Sequence, residues 1–106
     1  MLTIYITYRT KKLEKLCTNL KEAKRQIGDK AGRNLILRIT QLKSFKNLQM
    51  VPSKLPWRRE KLQNNNNRWE IRVDSSFRIE FSAIDLNDDL RLIEKIEIME
   101  VSNHYE

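Results

Sequence analysis

The run from Arg68 to Phe81 constrains the fold most. It reads Arg-Trp-Glu-Ile-Arg-Val-Asp-Ser-Ser-Phe-Arg-Ile-Glu-Phe and alternates with period two on both sides of a short polar break. Trp69, Ile71 and Val73 fall on one side, and Arg68, Glu70, Arg72 and Asp74 on the other. After Asp74, Ser75 and Ser76 the pattern restarts, with Phe77, Ile79 and Phe81 set against Arg78 and Glu80. Period two means strand, and the polar break means a tight turn. The run therefore predicts an antiparallel hairpin with one face buried and one in water. The wet face carries Arg68, Arg72 and Arg78. Such an array is either a solvated sheet face or a rigid anion-binding platform, and alternation alone does not separate the two.

The rest of the chain supplies partners for this hairpin. Leu2, Ile4, Ile6 and Tyr8 alternate with Thr3, Tyr5 and Thr7, which predicts a β-branched first strand. Thr10 is placed to cap a helix, and Leu13, Leu16, Leu20, Ala23 and Ile27 recur at helical spacing. This is one helix or two short ones, with Asn19 and Glu22 marking a possible second start. Gly28 ends it, and Asp29 is expected to cap a helix whose apolar stripe is Ala31, Leu35, Ile39 and Leu42. Leu37 falls nearly opposite that stripe and should be exposed. Residues 47–57 form a connector, Arg58 to Gln63 a short strand, and Asn64 to Asn67 a hairpin loop. Residues 77–85 continue the central pair, and residues 90–101 read as a long strand whose apolar phase slips after Ile98, predicting a bulge. One strand, two or three helices and four more strands give an α+β fold. Its helices pack on one face of a mostly antiparallel sheet of four to five strands.

The chain has 106 residues, which predicts a single domain over 1–106. The formal net charge is +7, unevenly spread. Residues 1–48 hold twelve Lys or Arg against three Asp or Glu, and residues 83–106 hold two against seven. A basic body points to a polyanionic partner. Cys17 is the only cysteine and His104 the only histidine, so neither an intrachain disulfide nor a Cys/His zinc site can be built. No calcium-loop or phosphate-loop spacing occurs, and no metal or cofactor is expected. The first eight residues lack a cationic start and a long apolar run, and no segment approaches membrane-spanning length. A cytoplasmic protein without a membrane partner is expected.

Four stretches, in this order, resemble the RelE/ParE toxin superfamily of bacterial toxin–antitoxin systems, and within it the plasmid-maintenance killer proteins of HigB type. Lys-Lys-Leu-Glu-Lys-Leu-Cys-Thr at 11–18 looks like the family's first helix. Pro-Trp-Arg-Arg-Glu-Lys-Leu at 56–62 sits where the family has Pro-Gly-Arg-x-His-x-Leu. Trp-Glu-Ile-Arg-Val at 69–73 and Phe-Arg-Ile-Glu-Phe at 77–81 look like its central strand pair. Ile-Glu-Ile-Met-Glu-Val-Ser-Asn-His at 96–104 sits where the family ends in a strand followed by Asp-Tyr-His. The resemblance implies metal-independent cleavage of messenger RNA on the translating ribosome. Its partners are the ribosome, the messenger and a cognate antitoxin, often a helix-turn-helix protein.

Metal-free RNA cleavage needs a base for the 2′-hydroxyl, an acid for the leaving 5′-oxygen and cations for the phosphorane. By the resemblance, Arg78 matches the arginine of the family's Tyr-Arg-Leu/Ile strand, and Arg72 the basic residue of the strand before it. His104 matches the terminal histidine, and histidine is the side chain that shuttles protons near neutrality. Three positions depart from the pattern. Glu60 replaces a histidine and can either act as a general base or repel the phosphate. Ser102 and Asn103 replace the Asp and Tyr, which thins the proton-transfer set. Arg58, Arg59, Lys61 and Arg68 flank these groups as candidates for gripping RNA backbone, or as solubilising charge. Two other functions fit the same resemblance. One is a ParE-like toxin that binds DNA gyrase without cutting RNA. The other is an RNA- or protein-binding module that has kept the fold and lost the activity.

Overall fold

The computed structural model describes residues 3–63, 67–85 and 87–103. Strand β1 (Tyr5–Tyr8) leads into helices α1 (Lys11–Thr18), α2 (Leu20–Ile27) and α3 (Asp29–Leu42). After them come strands β2 (Glu60–Lys61), β3 (Trp69–Arg72), β4 (Phe77–Ala83) and β5 (Lys95–Asn103). The strands form one sheet in the order β1-β5-β4-β3-β2. Only the β1–β5 pairing is parallel. The α+β architecture read from the sequence is thus present, with three helices and a mixed five-stranded sheet.

Local chemistry explains the helix boundaries. Thr10 Oγ1 accepts a hydrogen bond from the Leu13 N–H at 3.0 Å, and Asn19 Oδ1 accepts one from the Glu22 N–H at 3.0 Å. Asn19 has extended backbone, so the apolar spacing over 13–27 belongs to two helices and not one. Gly28, at φ +96°, both closes α2 and opens α3. This corrects the expected role of Asp29, which is the first residue of α3 and not its cap. Its carboxylate instead pairs with Lys24 at 3.4 Å and with Arg33, one turn on, at 2.8 Å.

The inner face of the sheet holds the core. Leu16, Cys17, Leu35, Ile39 and Leu42 from the helices join Ile71, Ile79, Phe81, Ile96 and Ile98 from the strands, all buried. Burial pushes the Cys17 thiol up to about 12, against a smaller lowering by Lys43, so it acts as a packing group and not a nucleophile. Leu37 is 54% exposed, as its position opposite the stripe predicts. Among the described residues no helix is long and apolar enough to cross a membrane.

Two strand expectations change. The Arg58–Gln63 strand shrinks to Glu60–Lys61, because the preceding residues fold into a turn in which Arg58 N–H donates to Lys54 C=O at 2.8 Å. Leu90–Leu92 is a turn of 3-10 helix and not strand, capped by Asp89 Oδ1 accepting from the Arg91 N–H at 3.0 Å. The predicted bulge is present. Glu80 pairs with Glu100 but Phe81 with Ile98, which leaves Met99 as the extra residue. Arg9 Nε donates to the Met99 carbonyl at 3.1 Å.

Gly32 sits where α2 and α3 touch backbone to backbone. A Cβ there would lie 2.7 Å from Lys24 N and 2.8 Å from Ala23 C, a clash that no rotamer change relieves. Gly32→Ala is expected to lose about 1–3 kcal/mol to overpacking, more than alanine's helix preference of about 1 kcal/mol returns. Urea unfolding measures this, and an unchanged or raised midpoint would show that the two helices part freely.

Candidate functional site

The outer face of the sheet carries the charged residues, and the inner face dictates how they meet. Trp69 pairs with Phe81 and Ile71 with Ile79. Those buried apolar pairs set the register of β3 on β4. With a side-chain period of two, the register then puts Glu70 opposite Glu80 and Arg72 opposite Arg78 on the outer face. The neighbouring strands extend both rows. Glu60 pairs with Glu70, Glu80 with Glu100, and Arg78 with Ser102. The face therefore holds a row of four glutamates beside a row made of Arg72, Arg78 and Ser102.

Like charges directly opposite repel, so the side chains turn to their diagonal neighbours. Arg78 Nη1 reaches Glu70 Oε1 at 3.5 Å, and Arg68 Nη1 reaches Glu80 Oε1 at 3.2 Å. Glu70, expected on a wet face, is only 7% exposed. Its Oε1 faces Arg78, so the middle of this face is paired charge, while Glu60 and Glu100 at either end of the row are exposed. Both diagonals leave Arg72 out. Its Nε donates to the Asp74 carbonyl at 3.0 Å, and among the described residues its guanidinium has no carboxylate partner. Ser102 Oγ, in the same row, is buried and has no hydrogen-bond partner among the described residues.

The remaining candidates separate. Lys61 lies opposite Trp69, with its Nζ 5.5 Å from the indole centroid. Arg58 is exposed, with backbone in the left-handed region at φ 49°. Arg59 is tied inward: its Nη1 donates to the Leu48, Gln49 and Val51 carbonyls at 2.8, 3.2 and 2.7 Å. Burial lowers the Arg59 pKa from its ordinary value, yet the group stays a cation that pins the Leu48–Met50 turn. His104 lies outside the described residues. The structure thus brings Glu60, Arg68, Arg72 and Arg78 to one face and sets Arg59 apart.

Two residues absent from the sequence-based set belong near this face. Glu70 is the partner that holds Arg78. Arg38, on α3, reaches the end of β3, where its Nη2 donates to the Val73 carbonyl at 3.2 Å. Its guanidinium carbon stands 4.7 Å from the centroid of the Trp57 ring. Burial first, and the charge of Arg72 second, lower the Arg38 pKa from its ordinary value. The available signal was positional. Arg38 follows Leu35 by three and precedes Leu42 by four, so a charge sits on the stripe that faces the core.

No protein-family model matches the chain, and no curated protein matches it. Among solved structures, the YoeB dimer from Staphylococcus aureus is similar, with a TM-score of 0.55 and 17% sequence identity. The match covers 96% of this chain and 98% of that one. At this identity the likeness shows a shared fold.

The pairing makes a stability prediction. Glu70→Ala leaves the largely covered Arg78 guanidinium without its carboxylate and is expected to cost about 1–3 kcal/mol. Glu60→Ala, at an exposed position, should stay within about 0.5 kcal/mol of wild type. Equal effects in urea unfolding would show that Arg78 gains nothing from Glu70.

Proposed function

We propose that this protein is the toxin of a type II toxin–antitoxin system, of HigB type, that cleaves messenger RNA on the ribosome without a metal. The observation that carries the reading is the row Arg72–Arg78–Ser102 on the same sheet face as Glu60. It agrees with the sequence likeness to RelE/ParE toxins and with a fold shared with YoeB, a type II toxin. The domain spans residues 1–106 and acts in the cytoplasm.

Each step needs a group that this face can supply. Strands lie about 4.8 Å apart, so Glu60 on β2 stands roughly 10 Å from the backbone of β4. A phosphate with its adjacent ribose fits between these long side chains. Glu60 takes the 2′-hydroxyl proton, and the freed oxygen attacks phosphorus. Arg78 and Arg72 hold the equatorial oxygens as charge builds, for which the guanidinium fork is suited. The P–O5′ bond breaks as His104 protonates the leaving oxygen, giving a 2′,3′-cyclic phosphate and a 5′-hydroxyl. His104 comes directly after Asn103 in the sequence, and Asn103 pairs with Phe77, next to Arg78. The contact between Arg78 and Glu70, at 3.5 Å, is at the loose end of hydrogen bonding, so phosphate oxygens compete with Glu70 for the guanidinium. Arg58, Lys61 and Arg68 grip flanking RNA backbone; Arg59 contributes by holding the turn before β2. A helix-turn-helix antitoxin covers exposed Leu37; the alternative cover is a second copy, the state in which YoeB was solved.

One observation favours a competing reading. Both Arg68 and Arg78 already have carboxylate partners, as expected of a module that keeps the fold without cutting RNA, or of a gyrase-binding toxin. Labelling after induction separates these. Early loss of amino-acid incorporation supports the nuclease, early loss of thymidine incorporation the gyrase poison, and no effect the inactive module.

Arg78→Ala is expected to lower messenger cleavage by ~10² to 10³, because it removes a charged donor on a rigid strand. His104→Ala should leave residual cutting. Primer extension on a translated messenger reads both, and wild-type cutting by Arg78→Ala would return the arginines to a structural role.

A further inference from the structure

We propose that the cavity between the start of α3, the Leu55–Pro56 segment and the β3–β4 turn is a subsite for a phosphate-bearing nucleotide that flanks the cleaved bond. It rests on the ribonuclease reading for the identity of its occupant. Lys30, Arg38 and Arg72 line it, with Asp74 and the apolar side chains of Leu55 and Pro56. Its volume is about 420 Å³. That falls within the roughly 300–1,000 Å³ typical of small-ligand sites.

Charge balance makes the case. Three cations face one carboxylate, and one oxygen of that carboxylate is committed to the turn. Asp74 Oδ1 accepts from the Ser76 and Phe77 N–H groups, both at 2.8 Å. Arg72 has no carboxylate partner among the described residues, it lines the same cavity as Arg38, and its charge adds to burial in lowering the Arg38 pKa. Arg38 Nη1 and Nη2 use one donor each, on Gln41 and Val73, and its buried Nε has no partner among the described residues. A guanidinium has five N–H donors, so two forks converge with donors to spare. A phosphate has the charge and the acceptors that this arrangement lacks. Leu55 and Pro56 add an apolar surface to the lining for ribose or base. Arg72 stands opposite Arg78 and belongs to both places, so the subsite adjoins the proposed cleavage site, with Arg38 and Lys30 as the cations of the subsite alone.

Titration of the intact protein with a ribonucleoside 5′-monophosphate, followed by nitrogen-15 NMR of backbone and arginine Nε–H signals, tests this. Saturable shifts are expected at Arg38, Arg72 and Val73, lost as salt is raised. Lys30→Gln should weaken the affinity by roughly 3- to 10-fold, as removing one charged phosphate contact does. Arg38→Gln should weaken it further, and Lys30→Gln remains informative should Arg38→Gln not fold. Shifts confined to Arg68 and Arg78, or equal affinity in Lys30→Gln and wild type, would overturn the subsite. Binding here involves no cleavage. Saturable binding without messenger cutting upholds the subsite and removes the ribonuclease, whereas cutting without binding does the reverse.

Discussion

The register of β3 on β4 is the constraint that arranges the rest of the outer face. Burying Trp69 against Phe81 and Ile71 against Ile79 is worth several kcal/mol, since each large apolar side chain contributes about 1.5–3 kcal/mol. A slip of β3 by one residue would turn Trp69 and Ile71 outward and uncover Phe81 and Ile79. No arrangement of surface charge competes with that. The outer residues must therefore accept Glu70 opposite Glu80 and Arg72 opposite Arg78, although like charges across strands are unfavourable.

The two diagonal ion pairs relieve this repulsion incompletely. They pair Arg68 with Glu80 and Arg78 with Glu70, and leave Arg72, Glu60 and Glu100 outside the pairs among the described residues. Arg72 then shares a cavity with a second cation, Arg38, which α3 brings to the end of β3. A fold selected for stability alone gains nothing from this pair. Retaining it is understandable where a polyanion completes the balance, and this links the inner packing to the proposed function. The bulge at Met99 belongs to the same logic. It shifts the phase of β5 so that Ile96 and Ile98 stay in the core while Ser102 enters the arginine row.

Much of the fold was legible in the sequence because its signals are local. Period-two alternation marked β3, β4 and the phase slip in β5, and the Leu35–Ile39–Leu42 stripe marked α3. Thr10 and Asn19 act as caps within three residues of themselves. The features that escaped notice depend on pairs distant in the chain. Gly32 matters only because α2 approaches it, and Arg59 only because the Leu48–Met50 turn offers three carbonyls. Leu90–Leu92 has strand-like composition, yet Asp89 caps a turn there. At the candidate site, the alternation put the arginines on one face with Glu70 and Glu80 as partners for Arg72 and Arg78, but the register gives Glu70 to Arg78 and Glu80 to Arg68 and leaves Arg72 out. Glu70 was misread as wet for that reason.

The central claim is that Arg72, without a carboxylate partner among the described residues, is held near the like charges of Arg78 and Arg38. The salt dependence of unfolding, measured for wild type and Arg72→Gln, tests it most directly. Comparing low with high salt in each protein cancels the hydrogen bond that Arg72 gives Asp74. Screening shortens to about 10 Å at 0.1 M and about 3 Å at 1 M, so added salt relieves the repulsion. The account predicts that wild type gains more stability from salt than Arg72→Gln, which has no such repulsion to relieve. An equal gain in both proteins, or a larger one in the variant, would contradict it.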